Sequence, residues 1–208
     1  MNGTAHAAIG AATGFIVANN VQGTPSETLL LVGLGTVSGL IPDLDIDGKL
    51  RGKITLSHKM FRTVAQFIGI LLICYSFYEG TENERFIGMG IGLGLLALSS
   101  SIKQRHMLTI TGIGVLAGGI SLQEIWLMLL GIYILIASFV AHRSYTHSIL
   151  GVIFFGFIAS KLETSLAIEG VYYTCIIAYI SHLIADSKVL PFNKRGVKLL
   201  LPIWSKDF

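Results

Sequence analysis

Charge is scarce in this chain. Only 13% of its 208 residues are Asp, Glu, Lys or Arg, against roughly 25% in soluble globular domains. That shortage, with 52% hydrophobic residues and a mean hydropathy of +0.70, excludes an ordinary soluble fold and points to a polytopic membrane protein. Cysteine is nearly absent. Cys74 and Cys175 lie far apart in apolar stretches, without the spacing of a metal site or redox motif, so each reads as a small buried hydrophobe. No Lys or Arg precedes Lys49, so the first apolar run lacks the basic flank of a cleaved signal peptide and none is expected. Ionisable groups are also missing from the middle of the apolar runs, which hold mainly Ser, Thr and an isolated Gln66.

What is present is a series of apolar segments at about 5–19, 28–41, 63–78, 86–102, 107–120, 122–141, 149–160 and 166–185. Several fall short of the roughly 20 residues that cross a hydrocarbon core, leaving a count of six to eight. Loop charge favours eight. The connection after the second segment carries Lys49, Arg51, Lys53, Lys59 and Arg62, and the next is acidic with Glu79, Glu82 and Glu84. Lys103 and Arg105 follow, then Glu124, then Arg143, then Lys161 facing Glu163 and Glu169, and a tail with Lys188, Lys194, Arg195, Lys198 and Lys206. Because Lys and Arg accumulate on the cytoplasmic side, this alternation predicts both termini inside and one integral membrane domain over 1–208.

Glycine is abundant, 24 residues in all, and recurs four apart at Gly10 and Gly14, Gly35 and Gly39, Gly90 and Gly94, and Gly114 and Gly118. Such faces let helices approach closely in lipid. The period-two run Gly88, Gly90, Gly92 and Gly94 would suit a strand, but a strand in lipid leaves backbone groups unpaired, so a helix is predicted.

Four polar constellations interrupt this pattern, and the predicted topology puts all of them on the cytoplasmic side. They are His6; Pro42-Asp43-Leu44-Asp45; the block from His142 through Arg143 to Thr146, His147 and Ser148; and Ser181-His182 with Asp186. Imidazole and carboxylate together suit a divalent ion, with zinc favoured and manganese the alternative. His182 and Asp186 are four apart, so one helical face presents both. His142 and His147 are five apart and share no helical face, so their stretch must bend, with Thr146 or Ser148 capping the following helix. Taken singly, each histidine would more often be an interfacial or hydrogen-bonded residue, and Asp43 with Asp45 a solvated helix end. Convergence of four elements at one face favours a metal site. His58 and His106 sit in basic stretches and read as solvated or headgroup-facing.

These blocks resemble the LexA-regulated, membrane-bound, metal-dependent hydrolase family of small bacterial inner-membrane proteins. The family pattern is an N-terminal His, Pro-Asp-x-Asp, His-Arg-Gly-x-Thr-His-Ser, Ser-His-x-x-x-Asp and a final Gly-Val-x-Leu-Leu-x-Pro, the last matched here by Gly196 to Pro202. Two positions depart from it: Ser144 stands where the family has Gly, and the link from Ser187 to Arg195 is longer. The resemblance implies a metal-dependent hydrolase in the inner membrane, and a weaker likeness to zinc phospholipases C points to a phosphoester or phospholipid substrate. On that reading His6, Asp43, Asp45, His142, His147, His182 and Asp186 hold metal. Asp45 or Asp186 bridges ions or acts as base, and Arg143 stabilises phosphoryl charge or anchors the topology. The basic tail suits anionic lipid headgroups. Membrane lipids are the expected partners, and nucleic acid is not. The rival readings are a metal-ion or proton transporter and a metal-stabilised scaffold without turnover.

Overall fold

The computed structural model describes residues 3–44, 58–101, 104–140, 144–188, 196–201 and 203–204. The described residues form eight α-helices and two short 3-10 turns, with no strand. The helices are α1 (Gly3–Asn20), α2 (Pro25–Ser38), α3 (His58–Glu79), α4 (Glu82–Ser100), α5 (Gln104–Leu122), α6 (Ile125–Ala137), α7 (Ile149–Leu166) and α8 (Val171–Asp186). Each expected apolar segment corresponds to one of them. The glycine run Gly88 to Gly94 is helical, within α4.

Two compact units divide the chain: Met1–Arg51 with Leu108–Phe208, and Gly52–Met107. In the first, α1 and α2 form a tight hairpin. The turn between them ends in Thr24, which caps α2: the Glu27 backbone N–H donates to Thr24 Oγ1 at 3.4 Å, and the Thr24 backbone N–H donates to Glu27 Oε2 at 2.7 Å. This reciprocal pairing satisfies two donors that a helix start leaves open. The faces that meet are glycine. A Cβ on Gly10 would collide with the Gly35 backbone, and one on Gly14 with the Leu31 backbone. Only small residues allow that approach.

Helix α8 packs against α1, α2 and α7, and α7 also meets α6. Their shared core includes Leu31, Tyr133, Phe155, Val171, Cys175 and Tyr179. Helix α7 starts on Ser148, whose hydroxyl accepts from the Gly151 N–H at 3.4 Å. It runs past the apolar segment expected at 149–160, because nothing in Lys161 to Leu166 breaks a helix, and ends on Ala167 in the left-handed region at φ 53. Gly170, at φ 90, then turns the chain into α8. The Glu163 carboxylate caps that start, accepting from the Tyr172 N–H at 2.8 Å.

In the second unit, α3 and α4 form another hairpin, with Gly92 against Gly69 and Ile73, and Gly88 against Ser76. The expected pairing of Gly90 with Gly94 is corrected here. A Cβ at either would meet nothing within 4 Å, because the even-numbered glycines project to two sides of the helix and only Gly88 and Gly92 face α3. Gly114 is likewise open, whereas a Cβ on Gly112 or Gly119 would press on Leu135 or Met128 of α6. Both cysteines are free. Cys175 is buried as expected, but Cys74 lies on an exposed face of α3 shared with Phe67, Leu71 and Tyr75.

Helix α7 is long and apolar enough, by length and composition, to cross a membrane, and shorter apolar helices cover His106–Leu122, Ile125–Ala137 and Val171–Asp186. Large apolar side chains cover the outer faces: Leu29, Phe139 and Phe157 are 75%, 75% and 62% exposed. Faces of that kind require a non-aqueous neighbour.

The glycine contacts give a paired test. Gly10→Leu should prise α1 from α2 and lower the melting temperature in detergent, whereas Gly90→Leu should leave it unchanged. Equal effects would refute the assigned packing.

Candidate metal centre

Three helix ends and two 3-10 turns deliver the chemistry of this molecule to one buried point. Helix α2 ends at Ser38, and the chain tightens into the turn Ile41–Leu44, all four residues of which are buried. Asp43 rides on that turn. A second turn, Tyr145–His147, carries His147 just ahead of α7. His182 and Asp186 occupy the last turns of α8, and His6 the first turn of α1. His6, His147, His182 and Asp186 are all at most 3% exposed, and Asp43 is 8%.

Asp43, His147, His182 and Asp186 each offer one donor atom, and these atoms lie within 4.8 Å of one another. His147 Nε2 and His182 Nε2 are 3.3 Å apart. Asp43 Oδ1 is 3.7 Å from each of them, and Asp186 Oδ2 is 3.9 Å from His182 Nε2. Two donors on one tetrahedral zinc, each about 2.0–2.1 Å from it, are separated by about 3.3–3.4 Å. The two imidazoles already stand at that spacing.

The tautomer of His182 decides what this cluster favours. Its Nδ1 is 2.7 Å from the Gly39 carbonyl oxygen. A carbonyl can only accept, so Nδ1 carries the proton and Nε2 of the neutral ring presents a lone pair. That lone pair faces the carboxylate oxygens of Asp43 and Asp186 and the Nε2 of His147, a donor set that a cation at its centre would hold together. A backbone carbonyl fixing a ligating histidine in this way is the usual support of a metal site. Two imidazoles and two carboxylates form a nitrogen and oxygen donor set suited to zinc or manganese.

His6 completes the group differently. Its ring stacks on His182 with centroids 3.8 Å apart and planes 24° from parallel. Its Nε2 is 3.2 Å from Asp186 Oδ1, yet neither ring nitrogen is hydrogen-bonded among the described residues. A buried imidazole whose nitrogens lack hydrogen bonds is costly, and beside this cluster it is a further donor.

Tyr179 ties the two histidine-bearing elements together. Its hydroxyl donates to the Thr146 carbonyl. With its single proton thus committed, it accepts from the Tyr133 hydroxyl at 2.9 Å. Helix α8 therefore presents His182 and also pins the turn that presents His147. Ser144 holds φ −104, so the glycine of the family pattern is not required there for a left-handed backbone.

Of the residues singled out from sequence, Asp43, His147, His182 and Asp186 meet, with His6 against them. Asp45, His142 and Arg143 lie outside the described residues. Sequence reasoning read Gly39 only as a helix-packing glycine and passed over Tyr179. Tyr179 stands three positions before His182 on the same helical face, a signal that was there to use. The Gly39 contribution is a backbone carbonyl, which any residue carries.

Apolar helices around a buried imidazole–carboxylate cluster define a helical membrane protein with a candidate metal centre. The chain belongs to the YdjM inner membrane protein family, whose family model matches residues 1–208. This is the group to which the sequence blocks pointed. No curated protein and no solved structure matches the chain.

Replacing Tyr179 with Phe should remove the clamp on the Tyr145–His147 turn. Loss of a buried hydroxyl that serves two partners costs about 1–3 kcal/mol, to be read as a lowered denaturation midpoint in detergent. Tyr133→Phe, which removes only the outer hydroxyl, should cost less. The reverse order would contradict the assigned hydrogen-bond chain.

Proposed function

We propose that this protein is a metal-dependent hydrolase of the inner membrane, acting at the cytoplasmic face on a phosphoester-bearing substrate. The observation that carries this reading is the His182 Nε2 lone pair, fixed by the Gly39 carbonyl and aimed among His147, Asp43 and Asp186. Eight membrane-crossing helices with both termini in the cytoplasm are part of the same proposal. Alternating loop charge supports them, as does the apolar outer surface.

His147, His182, Asp43 and Asp186 would hold the cation, with His6 positioned to join or to support a second one. Such a cation supplies Lewis-acid activation of water and of a phosphoryl oxygen near neutral pH. The chain's own groups do the rest. The Gly39 carbonyl keeps the His182 proton on Nδ1, and Tyr179 keeps His147 in register. The Asp186 carboxylate, 3.2 Å from His6 Nε2, holds that imidazole against the cluster. Burial of the cluster excludes bulk water and strengthens every charge interaction within it. Arg143 and Asp45, on the chain segments that adjoin His147 and Asp43, are assigned to phosphoryl charge and to proton abstraction by their chemistry and by the family resemblance.

A transporter needs ionisable groups strung along a path through the bundle. The His and Asp donors here gather instead at the α2 and α8 C-terminal ends and the α7 start, which favours chemistry at one rim.

Purified protein should contain zinc or manganese in stoichiometric amount by elemental analysis and should hydrolyse a soluble aryl phosphodiester. His147→Ala and His182→Ala should each lose the metal and the activity while still inserting into membranes. Metal content equal to the parent in both variants would sink the site assignment. A metal-replete parent inert towards every phosphoester offered would leave a metal centre but no phosphoesterase.

A further inference from the structure

Two apolar clefts begin beside the cluster, one on each side of the α7 start. The first, about 200 Å³, is lined by Tyr133, Ile136, Tyr145, Thr146, Leu150 and Phe154 among others. The second, about 410 Å³, is lined by Ile149, Val152, Ile180, Leu183, Ser187 and Leu199 among others. The first turns of α7 divide them: Leu150 and Phe154 face one, Ile149 and Val152 the other. Each lining reaches a metal-site element. Thr146 precedes His147, Leu183 follows His182, and Ser187 follows Asp186.

We infer that these clefts seat the two hydrocarbon chains of a diacyl phospholipid whose phosphate lies at the cluster. This rests on the hydrolase reading above and names its substrate class. Both walls are almost wholly apolar, so burying methylenes there is favourable, at about 0.8 kcal/mol for each CH₂, while a sugar or a charged headgroup gains nothing. The first cleft is smaller than the roughly 300–1,000 Å³ of pockets that enclose compact drug-sized ligands, which suits a slim chain. The second is more than a bare lipid-facing helix surface. Leu199 closes it from the C-terminal segment, held by a hydrogen bond from the Ile149 N–H to the Leu199 carbonyl at 2.9 Å. Lys198 precedes Leu199 and Lys188 follows Ser187, so each of the two segments bordering that cleft carries a basic residue, a composition suited to an anionic headgroup. The two clefts flank one helix start, and each is lined by residues next in sequence to donors of the cluster, as two chains of one lipid would require.

The test uses the full chain in detergent, with palmitoyl-oleoyl phosphatidylglycerol or its single-chain lyso form added, bound lipid read by native mass spectrometry and metal by elemental analysis. The parent should retain one diacyl lipid and bind the lyso form more weakly. Leu150→Trp fills the first cleft and Val152→Trp the second. Each should weaken diacyl binding about tenfold or more, the loss expected when two or more methylenes are displaced, with metal content unchanged. Should either variant lose metal, the milder Leu150→Phe or Val152→Phe replaces it. A parent that retains no lipid, variants that bind it as the parent does, or a lyso form that binds equally well would overturn the inference. The parent's own metal and turnover separate this inference from the hydrolase reading: lipid retained by a parent without metal or turnover would leave the clefts standing and the hydrolase reading fallen.

Discussion

The hydrogen bond from His182 Nδ1 to the Gly39 carbonyl joins residues 143 positions apart and sets the chemistry of the site. It joins the last turns of α8 to the end of α2, and it settles which ring nitrogen keeps a lone pair. Were Nδ1 solvated, the His182 ring could flip or change tautomer, and Nε2 could satisfy Asp186 by donating a proton. Held as it is, Nε2 cannot donate. The lone pair then faces the Asp43 and Asp186 carboxylates and the His147 Nε2, a buried donor set that a cation would stabilise.

That contact depends on the small-residue packing of α1 and α2. A Cβ on Gly39 would lie 2.7 Å from the His6 carbonyl oxygen and 3.5 Å from Gly10 Cα. Gly39 is thus pressed against α1 on one side while its own carbonyl faces His182. The same close approach brings the His6 ring onto His182 at stacking distance. Glycines that read in sequence as mere helix-packing positions therefore also set the spacing of two imidazoles.

The helical architecture was largely legible in the sequence, because apolar run length and loop charge are properties of composition. Capping was legible too, in Ser148 ahead of α7. Helix register was harder. Gly90 and Gly94 satisfy the spacing rule as well as Gly88 and Gly92 do, and only the partner face of α3 separates them. The ligand types were visible because imidazole and carboxylate are conspicuous in an apolar chain. Their support was less so: a backbone carbonyl at Gly39 leaves no mark in the sequence, and Tyr179 looks like any other aromatic core residue until its hydroxyl is seen to reach the Thr146 carbonyl.

Placing this cluster at helix ends, and away from mid-helix, has a physical logic. Inside lipid a helix must spend its backbone groups on itself, so a carbonyl free to receive His182 exists only where a helix stops, as α2 does just before Gly39. The 3-10 turns that follow, Ile41–Leu44 and Tyr145–His147, reorient Asp43 and His147 within a few residues, which a continuing helix could not do. Helix ends also lie where headgroups and water meet the hydrocarbon. A phospholipid, if that is the substrate proposed above, would keep its phosphate near polar surroundings there while its chains remained among apolar side chains. On the proposed function, the same backbone rule would bring the cluster to the depth at which an amphiphilic substrate presents its ester.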